Sequence, residues 1–466
     1  MNHTSKSIIS KEYLFASLLT FLIGVLIVAG YSLHTTVAFL LVAAGIVTIR
    51  DPTRNLILLT ILLFPLLPFH VGYDLGKPLP VIKLHRVLFT IIFILWLLDR
   101  GWRNCLTSLK EYPLWPLTGY VGLVLLGIGI INGADPAAIN YIFSFLIENC
   151  LLAFFVFDYF RDEREQRKLL TTLCASGLLI AIMGIIEFQI GFNWYSIVPE
   201  YREEMSFALN QQIRLDQNRI RGAFTHAINY GATLAIISAC FLSLLLNSKK
   251  KLSQFIYIAS IGTLLASCYF SLSRGPLLMF IIIFLLVFLW KGKRWLIPLL
   301  VLLIVLYQQP FLFTEIKDKL NILITDTIHL RGTSIGGSAY MRVKQLDYGL
   351  GFIKQRPFFG YGFAFPGEYI SHSIDNFYLR YVLNFGFIGM GTLLILIFAV
   401  TKNTLTVANY GKTEFQRSFG VAYLAVICGT IILWFTVAIE SYLYWFWIMG
   451  GIAMRMRVSI RPNSPP

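Results

Sequence analysis

The sequence predicts an all-α polytopic membrane protein with about fourteen transmembrane helices and one long loop on the outer face. Three observations carry that expectation. Of 466 residues, 57% are hydrophobic and 14% charged, more apolar side chain than one soluble core shelters. Nearly uncharged runs of about 18 or more residues recur along the whole chain. Short basic clusters fall between alternate runs, as they do in loops retained on the cytoplasmic side.

In order, the runs lie near 14–31, 35–49, 55–70, 86–98, 114–132, 139–158, 169–190, 222–246, 253–270, 275–290, 295–312, 376–400, 418–438 and 440–454. Lys6 and Lys11 precede the first run, whose length favours a retained anchor over a cleaved signal peptide. The chain reads as one integral membrane domain in three parts: a transmembrane bundle over 1–312, an outer loop over 313–375, and further transmembrane helices over 376–466. With the N-terminus inside, Arg50 and Arg54, Arg100 and Arg103, Arg161 to Lys168, Lys249 to Lys251, Lys291 to Arg294, Lys402 to Arg417 and the tail from Arg455 all fall on the inner side. Both termini are then cytoplasmic.

The net charge of +15 is dispersed as these clusters, which suits topology and anionic lipid headgroups rather than nucleic acid. Cys105, Cys150, Cys174, Cys240, Cys268 and Cys428 lie in or beside apolar runs without CxxC spacing, so they read as packing residues.

Two segments stand out on the outer side, 191–221 and 313–375. In the second, Met341, Val343, Leu346, Leu350 and Ile353 share a helical face opposite Arg342, Lys344, Gln345 and Lys354. That pattern predicts a surface helix lying on the membrane, ended by Pro357, Gly360 and Gly362.

Three motifs converge on the same outer level. NRIRGAFTHAINYG at 218–231 sets Arg219 and Arg221 at the mouth of the eighth run. SLSRG at 271–275 sets Arg274 between the ninth and tenth. HSIDNFYLRYVLNFGFIG at 372–389 sets His372, Asp375, Asn376 and Arg380 at the mouth of the twelfth. Each also has a plain structural reading: Arg274 snorkelling to phosphates, with Pro276 as a helix start, Asp375 as an N-cap, His372 as a loop residue. Together they suit a pyrophosphate at the membrane face, because an arginine fork bonds two oxygens at once and a nearby carboxylate can take a proton from an attacking hydroxyl.

The order of RIRGAFTHAINYG, SLSRG, a long outer loop with R-x-K-Q beginning at Arg342, RPFFGYGF and IDNFYLRYVLNFGFIGM resembles the O-antigen ligase and polymerase superfamily over residues 215–400. The resemblance implies a bacterial inner-membrane glycosyltransferase facing the periplasm, with a fold like the C-type enzymes. The implied reaction is inverting and metal-independent, with no cofactor, on undecaprenyl-pyrophosphate-linked oligosaccharides. It implies catalytic roles for Arg274 and Asp375, and substrate contacts from Arg219 or Arg221, Arg342, His372, Asn376 and Arg380. Family ligases usually carry His-Asn where this chain has Asp375-Asn376, which tilts the expectation from ligase towards polymerase. Implied partners are a lipid-linked donor, a glycan or lipid acceptor, membrane lipids and other polysaccharide-assembly proteins. The rival readings are a transporter, with Glu148 in the sixth run as a coupling carboxylate rather than a paired one, and a non-catalytic assembly subunit. Glu187 and Glu440, near the outer ends of their runs, fit either a cavity or interfacial exposure. The sugar, the linkage and the acceptor are not legible.

Overall fold

The computed structural model describes residues 51–66, 72–73, 82–133, 141–142, 144–193, 195, 213–214, 217–291, 336–362, 374–438 and 443–460. The runs near 14–31, 35–49 and 295–312, together with His372 and Glu440, lie outside the described residues. The described elements are helical apart from two antiparallel pairings of two residues each, β1 (Gly72–Tyr73) with β2 (Ile82–Lys83), and β3 (Ile213–Arg214) with β4 (Gln217–Asn218).

The helices are α1 (Pro52–Leu63), α2 (Leu84–Glu111), α3 (Trp115–Ile131), a π-helical turn at Phe145–Leu151 that runs into α4 (Leu152–Tyr159), α5 (Glu163–Ile190), α6 (Ala227–Leu246), α7 (Lys251–Phe270), α8 (Arg274–Lys291), α9 (Gly336–Gln355), α10 (Phe377–Tyr410), α11 (Glu414–Leu433) and α12 (Leu443–Ile460). Among the described residues six helices, α5, α6, α7, α8, α10 and α11, are long and apolar enough to cross a membrane; a bent pair at Asn104–Glu111 and Trp115–Ile131 makes a seventh if it is one span. The protein is a multi-pass membrane protein.

The centre of the bundle is α6. Its sequence AINYGATLAIISACFLSLLL is free of charge and apolar all round, the pattern of a helix enclosed by others. Gly231, Ala232, Ala235, Ser238 and Ala239 keep it thin enough for close approach, and α5, α7, α8, α11 and α12 pack around it. By contrast α7 leaves Leu252, Phe255, Ile256 and Ile258 exposed, as befits a rim helix in lipid.

One end of the bundle is laced by ion pairs: Arg161 with Asp158 at 2.6 Å, Arg100 with Asp158 at 3.1 Å, Arg167 with Glu163 at 2.7 Å, Arg455 with Glu111 at 3.7 Å, and Lys291 with Glu414. Asp158 is fully buried and also accepts from Trp96 Nε1 at 2.9 Å. Arg100, Arg161, Arg167, Lys291 and Arg455 are among the basic residues that the sequence assigns to one side of the membrane. Five of the six cysteines are buried free thiols and Cys428 is exposed.

Near the opposite end, α10 is broken at Gly386, whose φ of +65° is left-handed. A Cβ there would lie 2.1 Å from the Phe358 carbonyl oxygen. The bare backbone lets segment 356–362 dock into the break: Phe387 N–H donates to Pro357 O at 2.8 Å, Tyr361 N–H to Leu383 O at 2.8 Å and Gly362 N–H to Asn384 O at 2.9 Å. The RPFFGYG stretch therefore supplies acceptors and donors that the broken helix lacks.

Candidate functional site

The end of the bundle opposite the ion pairs gathers the mouths of α6, α8 and α10. The link between α7 and α8 is a tight turn in which Leu272 is left-handed, with φ +50°. Ser271 N–H donates to the Ser267 and Cys268 carbonyls, each at 3.2 Å, and Ser273 Oγ donates to Ser271 O at 3.1 Å. Arg274 then opens α8 and is exposed, while Pro276 is buried in its first turn, where its missing N–H costs nothing.

Arg219 comes to this turn from a distant part of the chain. Its Nη2 donates to Ser273 Oγ at 2.7 Å and its Nε to Ser271 O at 3.2 Å. Ile220 N–H donates to Phe270 O at 3.4 Å, so the backbone runs alongside as well. Arg221, which competes with Arg219 in the sequence, is 4% exposed, and its N–H donates to Glu187. The structure brings Arg219 to the SLSRG turn.

The mouth of α10 is tied to the end of α11. Phe377 N–H donates to Trp434 O at 2.9 Å, Asn376 Nδ2 to Phe435 O at 3.2 Å and Arg380 Nη1 to Ala438 O at 3.2 Å. Gly275 sits against that same stretch, since a Cβ on it would meet Leu433 at 2.7 Å and Thr436 at 3.1 Å. Residues 433–438 are thus a shared wall, with Gly275, next to Arg274, on one flank and Asn376, Phe377 and Arg380 on the other.

Asn376 is the N-cap of α10, its Oδ1 accepting from Leu379 N–H at 3.0 Å. The capping role open to Asp375 on sequence grounds therefore falls to its neighbour. Asp375 N–H donates to Gln345 Oε1 of α9 at 3.2 Å. This corrects the expected faces of α9: Gln345, placed with the polar residues, is buried, and with Gly349, Phe352 and Ile353 it forms the row that docks on Ile374, Leu379 and Leu383. Leu346 and Leu350 remain exposed. The Asp375 N–H bond to Gln345 and the close fit of Gly349 against Leu379 outweigh the simple apolar stripe, because a buried amide that finds a partner loses little. The helix ends at Gln355, ahead of Pro357, as the sequence predicts, and Gly360 and Gly362 are left-handed. Arg342 lies on α9, but its side chain is outside the described residues, as is His372.

His226, which the sequence reading did not single out, caps α6 through Nδ1, accepting from Ile228 N–H at 3.2 Å. Burial, then the positive charges of Arg219 and Arg221, lower its pKa from 6.5 to about 4. It is a neutral acceptor at ordinary pH.

Glu148 is paired. Arg86 Nε and Tyr444 OH donate to its two oxygens, His85 Nε2 lies 3.5 Å away, and Arg86 Nη2 reaches Ser144 Oγ at 2.5 Å. His85, Arg86 and Tyr444 were missed as its partners; the signal was a His-Arg pair opening an otherwise apolar run, which needs a counter-charge. Against the exposure alternative, Glu187 is 7% exposed and bonded throughout.

Residues 259–396 match the family model described as O-antigen ligase. That segment runs from α7 into α10 and holds Arg274, α9, Asp375 and Asn376, whereas Arg219 and Arg221 lie before it. The match supports the resemblance to the O-antigen ligase and polymerase superfamily and fits surface polysaccharide biosynthesis by a glycosyltransferase-like ligase or polymerase, with lipid-linked glycans as substrates. A comparison with curated proteins gives no match.

Proposed function

From that likeness to O-antigen ligases, we propose that the protein is an inverting glycosyltransferase of the bacterial inner membrane that polymerises undecaprenyl-pyrophosphate-linked oligosaccharide units at the periplasmic face. The observation that carries the reading is the bonding of Arg219 to the Ser271–Ser273 turn that delivers Arg274. That bonding joins Arg219 to the turn that precedes Arg274, although the two lie in separate parts of the chain.

In this reading Arg274 and Arg219 hold the donor diphosphate. The acceptor hydroxyl attacks the anomeric carbon from the side opposite the phosphate. The new carbon–oxygen bond forms as the bond from that carbon to the diphosphate oxygen breaks, so the configuration inverts. Asp375 accepts the hydroxyl proton, and the charge that develops on the departing lipid diphosphate is met by the arginines, whose positions are fixed before the reaction. Arg342, Asn376 and Arg380 line the approach of the glycan, with α9 as its cover. Asp375, in place of the histidine usual in family ligases, supports a polymerase.

The test is the glycolipid profile of a strain lacking the gene. Accumulated single lipid-linked repeats support polymerisation. Long chains left on the carrier lipid identify a ligase instead, and a profile identical to wild type removes the transferase reading.

A further inference from the structure

We propose that Glu187 is a positioning residue: its carboxylate clamps the Arg221–Gly222 turn and so selects Arg219 as the arginine presented to the lipid diphosphate. The inference rests on the transferase reading above and adds to it what fixes the arginine.

Glu187 stands near the end of α5. Oε1 accepts from Asn193 Nδ2 at 3.0 Å and from Arg221 N–H at 3.3 Å, and Oε2 accepts from Gly222 N–H at 3.1 Å. Asn193 Nδ2 also donates to Gly222 O at 3.1 Å, which closes a ring around the turn. Gly222 is left-handed, with φ +55°. Successive N–H groups ahead of such a residue form a concavity that suits an anion, and here the anion is a side chain of the protein itself. A buried carboxylate at a membrane edge is costly unless it is fully bonded; three N–H donors meet that need.

On its other side the same stretch is held by the α7–α8 turn, through Ile220 N–H to Phe270 O and the two Arg219 bonds. In a straight strand Arg219 and Arg221 would share a face. The Glu187 clamp instead bends the chain at 221–222, so that Arg221 is buried and Arg219 reaches Ser273. A slip of one residue would put Ile220 where Arg219 stands.

Glutamine cannot replace the carboxylate, because three donors converge on it and the amide offers a single acceptor oxygen. The test uses the full-length protein in lipid nanodiscs with a synthetic lipid-pyrophosphate oligosaccharide, comparing wild type, Glu187→Gln, Arg219→Ala, the double variant and Arg274→Ala. Amide hydrogen exchange over 219–224 is followed in parallel. Glu187→Gln is expected to raise the half-saturating donor concentration about tenfold, and to speed exchange at Arg221 and Gly222. Added to Arg219→Ala it should weaken donor use no further, since residues that act as one unit are not additive. Wild-type donor use or unchanged exchange in Glu187→Gln overturns the inference, as does an additive double variant. If wild type itself transfers nothing, the transferase reading fails, and if Arg219→Ala and Arg274→Ala both transfer like wild type, the two-arginine diphosphate site fails; in either case the exchange data still report on the clamp. Should Glu187→Gln not accumulate, Asn193→Ala opens the same ring from outside and is expected to shift both readouts in the same direction by a smaller factor; no shift overturns the inference.

Discussion

Two buried carboxylates, Glu148 and Glu187, solve the same physical problem in different ways. Glu148 is met by side chains from α2 and α12, through Arg86, His85 and Tyr444. Glu187 is met by two backbone N–H groups and the amide of Asn193. The first arrangement ties three distant pieces of the chain together. The second takes its bonds from main chain and a neighbouring amide and shapes a turn. A charge paired by side chains holds helices in place; a charge paired by main chain sets where the next side chain points.

The comparison is sharpened first by Glu148→Ala. Removing one partner leaves Arg86 buried without its counter-charge, and the expected loss is about 3–5 kcal/mol of stability. The check is thermal unfolding in nanodiscs: Glu148→Ala should fall far below Glu187→Gln. A mild effect, with selective loss of donor use, would make Glu148 part of the site instead.

Asp375→Asn should be next in size. It keeps the size of the side chain and the N–H bond to Gln345 but cannot take a proton, so transfer is expected to fall about a hundredfold with little change in donor affinity. Single-turnover rates with preloaded donor read this directly. An unchanged rate would confine Asp375 to the docking of α9.

His226 predicts the smallest effect. Its folded pKa of about 4 lies below the ordinary 6.5, so the cap it gives α6 is fully present above about pH 6.5 and is lost as the pH falls towards 4. His226→Asn keeps a cap acceptor without titrating there. The melting temperature of wild type should drop more steeply than that of the variant between these pH values; parallel curves would contradict the neutral cap.

What was legible in the sequence follows from cost. Arg274 and Glu148 stood out because charge beside or inside apolar runs needs a reason, and Pro357, Gly360 and Gly362 were visible as turn chemistry. The partners were not legible, since nothing in an apolar run near 86–98 says that Arg86 meets a residue 62 positions on. Asn376 and Asp375 are equally good caps by composition, and only the bond to Leu379 N–H separates them. Gly386 reads as any glycine in an apolar helix until Phe358 is seen against it. The row through Gln345 and Gly349 was hidden because docking against Leu379 followed a residue's partners rather than its polarity.

The most direct test of the central claim is transfer by purified protein, wild type against Arg274→Ala, from a synthetic undecaprenyl-pyrophosphate oligosaccharide, with unfolding curves run alongside. The account predicts chain growth in wild type and a loss of about 10²–10³ in rate in a variant that still folds. A well-folded Arg274→Ala that extends chains at the wild-type rate would mean that this arginine only reaches lipid phosphates, and the diphosphate site would fail.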